Sequence, residues 1–189
     1  ADILKYLDAE AASHLKRYPK SSVVRHQVEE LETQFNRELG VSTRQWGYFY
    51  ALQNRSVMQQ LWCKEVPTWE KLLFPVLFPL TRYLVHSGYN VNRESAMAAY
   101  HRTQQIFKGV SNRLSDGRRY LVGECFSAAD LVFASLSAPG VVPPEYGGVF
   151  PELNQLPKEM VEQIQILRDT IAGKYVLRLY QEERYVKNS

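Results

Sequence analysis

The chain has 189 residues, a length that suits one domain with a substantial core and crowds two. With 45% hydrophobic, 12% aromatic and 23% charged residues it is far from the composition of a disordered chain. The formal net charge of +3, from 23 basic and 20 acidic residues spread along the sequence, is too mild and dispersed for a nucleic-acid footprint, so no nucleic-acid partner is expected.

In chain order, residues 1–10 place Ile3, Leu4 and Leu7 at one-turn spacing, the pattern of the last turns of an amphipathic helix. So short a helix is marginal alone and needs a partner surface. Residues 11–20 read as a linker ending at Tyr18-Pro19. From Ser21, Val24, Val28, Leu31, Phe35 and Leu39 form one helical stripe, and Gly40 is expected to stop it as a C-cap. Ser42-Thr43-Arg44-Gln45 fits a capping box opening a second helix, with Val41 and Trp46 as its staple, and Trp46, Tyr48, Phe49, Tyr50, Leu52 and Val57 give that helix more than one apolar face. Thr68 is expected to cap a helix running through Leu84, kinked or broken at Pro75 and Pro79. Gly88 ends it and Asn92 caps the next, which extends to about Ser115.

Phe126-Ser127-Ala128-Ala129-Asp130-Leu131 carries the sharpest local signal, an N-cap serine set against an acid three residues on. The helix it opens has no wet face and reads as the buried centre of a bundle. Pro139 to Pro157 is a Pro/Gly-rich excursion, after which helix resumes with Met160, Ile164, Leu167 and Ile171 in a stripe, broken at Gly173. A basic last helix, Lys174 to Arg184, is expected to present a solvated face. No strand-period segment and no internal repeat occurs, so the fold class is all-α.

The run Tyr120-Leu121-Val122-Gly123-Glu124-Cys125-Phe126-Ser127-Ala128-Ala129-Asp130-Leu131 resembles the capping-box motif of the glutathione S-transferase C-terminal domain, at that family's position among the helices. Ala1-Asp2-Ile3-Leu4-Lys5-Tyr6-Leu7-Asp8 likewise resembles the end of the last helix of the family's thioredoxin-like N-terminal domain. The resemblance implies an orthogonal helical bundle over residues 21–189, with residues 1–20 as the end of that absent domain plus linker. It implies transfer of glutathione, as co-substrate, to small hydrophobic electrophiles in an intact homodimeric protein, and inactivity of this chain alone, since the family's catalytic Tyr, Ser or Cys and its acid-Ser pair fall outside the sequence. It transfers no catalytic residue and no cofactor to this chain. The contrasting expectation from the same family is a non-enzymatic scaffold or protein-interaction module.

Ser127 and Asp130 are structural on either reading, because the box satisfies orphan N–H groups at a buried helix start. Tyr48, Phe49 and Tyr50 are candidates for an electrophile pocket with Arg44 and Gln53 as its polar rim, since flat apolar ligands gain from aromatic walls bearing a few hydroxyl donors; core packing is the competing role for each. His14, His26, His86 and His101 have no partner at ligand spacing, so no metal is expected. Cys63 and Cys125 share no CxxC, which leaves no disulfide framework and suits a reduced, cytoplasmic setting. The most apolar run, Leu72 to Leu80, falls short of the ~20 residues of a membrane span, and the first residues given show no basic stretch followed by an apolar core, so no signal peptide is expected among them.

Overall fold

The computed structural model describes residues 2–12, 15–63, 66–147 and 150–184, and among the described residues all regular structure is helical. The elements are α1 (Asp2–Glu10), α2 (Ser22–Gln34), a π-helical turn (Phe35–Leu39), α3 (Gly40–Ala51), α4 (Arg55–Trp62), α5 (Thr68–Gly88), α6 (Arg93–Arg113), α7 (Ala128–Val141), α8 (Lys158–Asp169) and α9 (Ile171–Glu183). Short 3-10 turns, Pro144–Tyr146 and Leu153–Gln155, lie between α7 and α8. No helix among the described residues is long and apolar enough to cross a membrane.

α7 is the buried centre, touching α2, α3, α8 and α9, while α3 lies along α6. Its Phe133 ring meets Phe35 at 5.0 Å, Phe107 at 5.5 Å and Tyr175 at 6.4 Å, so one aromatic joins four elements. Only Ser135 of this helix is exposed. The Ser127–Asp130 capping box is present at its start. Asp130 has no exposed surface, and each carboxylate oxygen takes two donors. Oδ2 accepts from the Ser127 N–H and Oγ, both at 2.7 Å, and Oδ1 accepts from the Leu121 N–H at 2.8 Å and the Tyr175 hydroxyl at 2.5 Å. Burial and this carboxylate hold the Tyr175 phenol protonated far above the ordinary tyrosine range.

A second, smaller cluster, Leu52, Met58, Phe74, Phe78 and Val91, holds α4 and α5 beside the main core. α1 docks through Leu4 on the main core, through a Lys5–Glu29 ion pair at 3.2 Å, and through Asp8, whose carboxylate accepts from the Arg17 and Tyr18 backbone N–H groups.

Several local expectations are overturned by packing. Gly40 does not stop a helix: the chain runs from α2 through the π turn into α3, and Gly40 keeps a right-handed φ of −63°. A Cβ there would stand 3.0 Å from a Leu136 methyl, so the glycine serves close approach of α3 to α7 rather than termination. Ser42 is wholly buried inside the helix instead of capping it, Thr43 Oγ lies 3.0 Å from the Leu39 carbonyl and 2.9 Å from the Leu136 carbonyl, and Val41 is exposed. The helix also ends sooner than its apolar pattern suggests, at Ala51, because Asn54 accepts from the Ser56 and Val57 N–H groups and starts α4.

α5 is uninterrupted through Pro75 and Pro79, and its cap residue is Pro67 rather than Thr68. Each proline removes one backbone donor, but the carbonyls they would have served, on Lys71 and Pro75, lie on sides of the helix open to water. α7 likewise continues past Pro139 to Val141, since the carbonyl released is that of exposed Ser135. Gly173 lies within α9; the break is at Thr170, whose Oγ accepts from the Gly173 N–H at 2.9 Å. Arg178 and Arg184 are not simply solvated: the first lies over the Tyr175 ring at 5.2 Å and the second over the Tyr180 ring at 5.6 Å.

Two stability measurements test this account. Asp130→Ala strands four donors at once and should lower the unfolding free energy by roughly 3–5 kcal/mol in a denaturant titration; a loss under about 1 kcal/mol contradicts the hub role. Gly173→Ala, ordinarily stabilising inside a helix, should here cost roughly 3 kcal/mol, because its Cβ would fall 2.0 Å from the Leu167 carbonyl oxygen. A gain in stability would show that α8 and α9 do not approach as described.

Candidate functional site

The best-formed concavity, about 280 Å³, lies where the two clusters meet. Arg44, Gly47, Tyr48 and Tyr50 bring α3 to one wall; Val57, Leu61 and Trp62 bring α4 to the second; Pro139, Val142, Phe150, Leu156 and Met160 close it from α7, the connection after it and the start of α8. The surface is apolar apart from Thr43, Arg44, Asn54, Gln155 and the two phenols.

Each wall has a local cause. α3 is held from behind by Gln163 of α8, whose Oε1 accepts from Trp46 Nε1 at 2.6 Å and from the Tyr50 hydroxyl at 3.2 Å, while its carbonyl accepts from Tyr100 at 3.1 Å. Trp46 and Tyr100 stack at 6.0 Å behind this wall. The far wall depends on the end of α7. Val142 is left-handed, with φ of +48°, a costly conformation for a β-branched residue. Arg168 holds it there, donating to the Val141 carbonyl at 2.7 Å and the Val142 carbonyl at 2.6 Å. Burial pushes the Arg168 pKa down, yet a guanidinium remains charged at any ordinary pH and so caps the α7 carbonyl end as a cation.

Of the residues singled out from the sequence, Arg44, Tyr48 and Tyr50 line the cavity. Arg44 Nε donates to the Gly40 carbonyl at 2.6 Å, and burial raises the Tyr48 phenol, whose ring meets Tyr89 at 5.4 Å. Phe49 and Gln53 are elsewhere. Phe49 packs edge-on to Tyr50 at 5.0 Å between the two clusters, and Gln53 turns back to the Phe49 carbonyl at 2.8 Å in solvent. A run of four aromatics on a 3.6-residue helix must divide between faces, which is why the stretch separates. Gln163 and Arg168 passed unnoticed in the sequence, since a polar residue on an amphipathic helix shows no sign of reaching across to another element. The α4 wall had a readable sign, an Asn54 cap ahead of Val57, Leu61 and Trp62.

Among the described residues no three His, Cys, Asp or Glu side chains assemble at metal-binding distance; His14 lies outside them. Cys63 is buried and Cys125 exposed, both unpaired as thiols. Compared with known proteins, the chain matches no family model, no curated protein and no solved structure.

At neutral pH the phenols around the cavity and its backing are hydrogen-bond donors, not phenolates. Burial, and for Tyr50 the nearby Glu159 carboxylate, pushes Tyr50 up to about 12, and burial brings Tyr100 to about 12 as well, as it does Tyr180 on α9, away from the cavity. In the unfolded chain a tyrosine ionises near ~10. The folded state therefore keeps protons that the unfolded state has lost, so stability is intact below pH ~10 and falls as the pH climbs from there toward ~12. Denaturation midpoints measured across alkaline pH should show this decline, with phenolate absorbance from these residues rising only as the chain unfolds. Their titration near ~10 in the folded protein would contradict their burial.

Proposed function

We propose that this chain is the electrophile-binding helical domain of a glutathione S-transferase. Its cavity takes a small, flat, hydrophobic electrophile, and the thiol co-substrate glutathione is bound and activated by groups outside these residues. The observation that carries the reading is the apolar cavity itself: aromatic walls from Tyr48, Tyr50 and Trp62 suit a planar apolar guest, while Arg44 and the Tyr48 hydroxyl sit where an electron-withdrawing polar substituent would need a donor. Two further features support it. The buried Ser127–Asp130 box stands at the start of the central helix, as in the motif it resembles. The outward side of α1, with Ile3, Tyr6 and Leu7 exposed, offers the apolar surface against which a second domain would pack.

On this reading the chain contributes binding and orientation. Lowering the thiol pKa, by a hydroxyl that hydrogen-bonds the thiolate, falls to the other domain, so the chain alone should not catalyse conjugation.

Gly47 supplies the test. It lines the cavity, and a Cβ built there meets nothing within 4 Å, so a large side chain can enter the space without disturbing the backbone. Titration calorimetry with a nitro-substituted aryl halide should show binding that Gly47→Phe weakens at least ~10-fold, or 1.4 kcal/mol. The same change should leave the unfolding midpoint level or raise it, because a mid-helix glycine has been replaced. Unaltered affinity in the filled variant would remove the cavity as the binding site, and tight binding of glutathione by the chain itself would overturn the division of labour.

A further inference from the structure

α5 has two apolar sides, of which the fold uses one. Phe74 and Phe78 turn inward to the smaller cluster. On the opposite side Trp69, Leu73, Val76, Leu77, Leu80 and Leu84 are all exposed, Val76 at 72%, and Leu72 and Tyr83 widen the strip. On ordinary side-chain areas these eight residues leave about 900 Å² of apolar surface in contact with water, above the ~300–600 Å² of the largest patch on a typical monomer. At 1.5 Å rise per residue the strip is roughly 22 Å long.

Two properties identify what covers it. The first is symmetry. Positions 69, 73, 76, 77, 80 and 84 are spaced four, three, one, three and four apart, a pattern that reads the same from either end about the midpoint between Val76 and Leu77. A second copy laid antiparallel about that point sets Trp69 on the partner's Leu84, Leu73 on the partner's Leu80, and Val76 on the partner's Leu77. This is the self-complementarity that a two-fold interface requires. Full cover of the six paired positions would bury about 1,300 Å² in total, and cover of Leu72 and Tyr83 as well would bring it to about 1,800 Å², both within the range of a specific interface; the pairing also sets the two helix dipoles head to tail. The second is the rim. A helix lying in a lipid surface carries Lys or Arg along the edges of its apolar face. Here, at 3.6 residues per turn, the edges carry Glu70 and Thr81 on one side and Pro75, Pro79 and His86 on the other, while Lys71 and Arg82 fall toward the back of the helix.

We propose that the outer face of α5 is a self-association surface, through which two copies of this chain pair antiparallel across a two-fold axis passing between Val76 and Leu77. The pairing face shares no residue with the cavity lining.

Sedimentation equilibrium on the full chain should give twice the 21.9 kDa chain mass at low micromolar concentration. Val76→Lys, which sets two cations near the axis, and Leu80→Glu should each weaken association about 100-fold. Both positions are exposed, so helix content by circular dichroism should hold. In a Cys125→Ser background, a short bis-maleimide should join chains of Leu73→Cys/Leu80→Cys far more readily than chains of either single variant. A wild-type monomer at about 100 μM would overturn the proposal. So would a dimer insensitive to both charges, equal cross-linking by Leu73→Cys alone, or a monomer that floats with phosphatidylcholine–phosphatidylserine vesicles through this face.

Discussion

Asp130 is a charge placed where water cannot reach it, and the main core is arranged around satisfying it. A buried carboxylate is costly unless its lone pairs are filled, and here the donors come from three stretches far apart in sequence: the Leu121 N–H before α7, Ser127 at its cap and the Tyr175 hydroxyl on α9. Losing any of these segments would strand the charge, so the carboxylate fixes the angle at which the chain enters α7 and the side of α9 that faces it. The geometry then propagates. With α7 oriented, Phe133 points at Phe35, Phe107 and Tyr175, and the π turn, α6 and α9 have defined seats.

That hub was legible because its signal is local: a serine and an acid three residues apart, ahead of an apolar run, describe the same structure in sequence and in space. Asn92 was legible for the same reason, and its box with Ser95 opens α6. What misled were single residues whose role depends on a neighbour elsewhere in the fold. Gly40 and Gly173 both read as terminators, since glycine is the residue that leaves a helix most easily. Both sit inside helices, because Leu136 in one case and the Leu167 carbonyl in the other occupy the space a Cβ would need. The prolines misled in the opposite sense. Pro75, Pro79 and Pro139 delete donors whose carbonyl partners stand toward solvent, and a lost bond that water can replace does not break a helix held by its packing.

The cavity was half legible. Arg44, Tyr48 and Tyr50 reach it because α3 is apolar around more than one face: Tyr48 packs on the smaller cluster, while Tyr50 borders the cavity from within the main core. Which aromatics border it depends on register, and Gln163 reaching from α8 to Trp46 and Tyr50 holds that register. The opposite wall, from Pro139 to Leu156, reads as a Pro/Gly-rich excursion in the sequence, with no period to mark which side chains turn inward. Its shape is maintained by Arg168, one side chain that both neutralises the end of the α7 dipole and holds Val142 in a left-handed turn.

The cavity lies across the seam between the two clusters, and this links its behaviour to α5. One side, through Tyr50, Val142 and Met160, belongs to the core organised by Asp130; the other, through Leu61 and Trp62, belongs to the smaller cluster. That cluster buries few large side chains and joins the rest mainly where α3 meets α4, so it is the natural place for local opening. Trp62 packs edge-on to Phe74 at 6.3 Å, which makes α5 the support of the α4 wall. Covering the outer face of α5 with a second copy would add hydrophobic burial to the smaller of the two clusters and so support the α4 side of the cavity. Association and ligand binding would then favour each other in the same free-energy balance, without any residue of the pairing face touching the ligand.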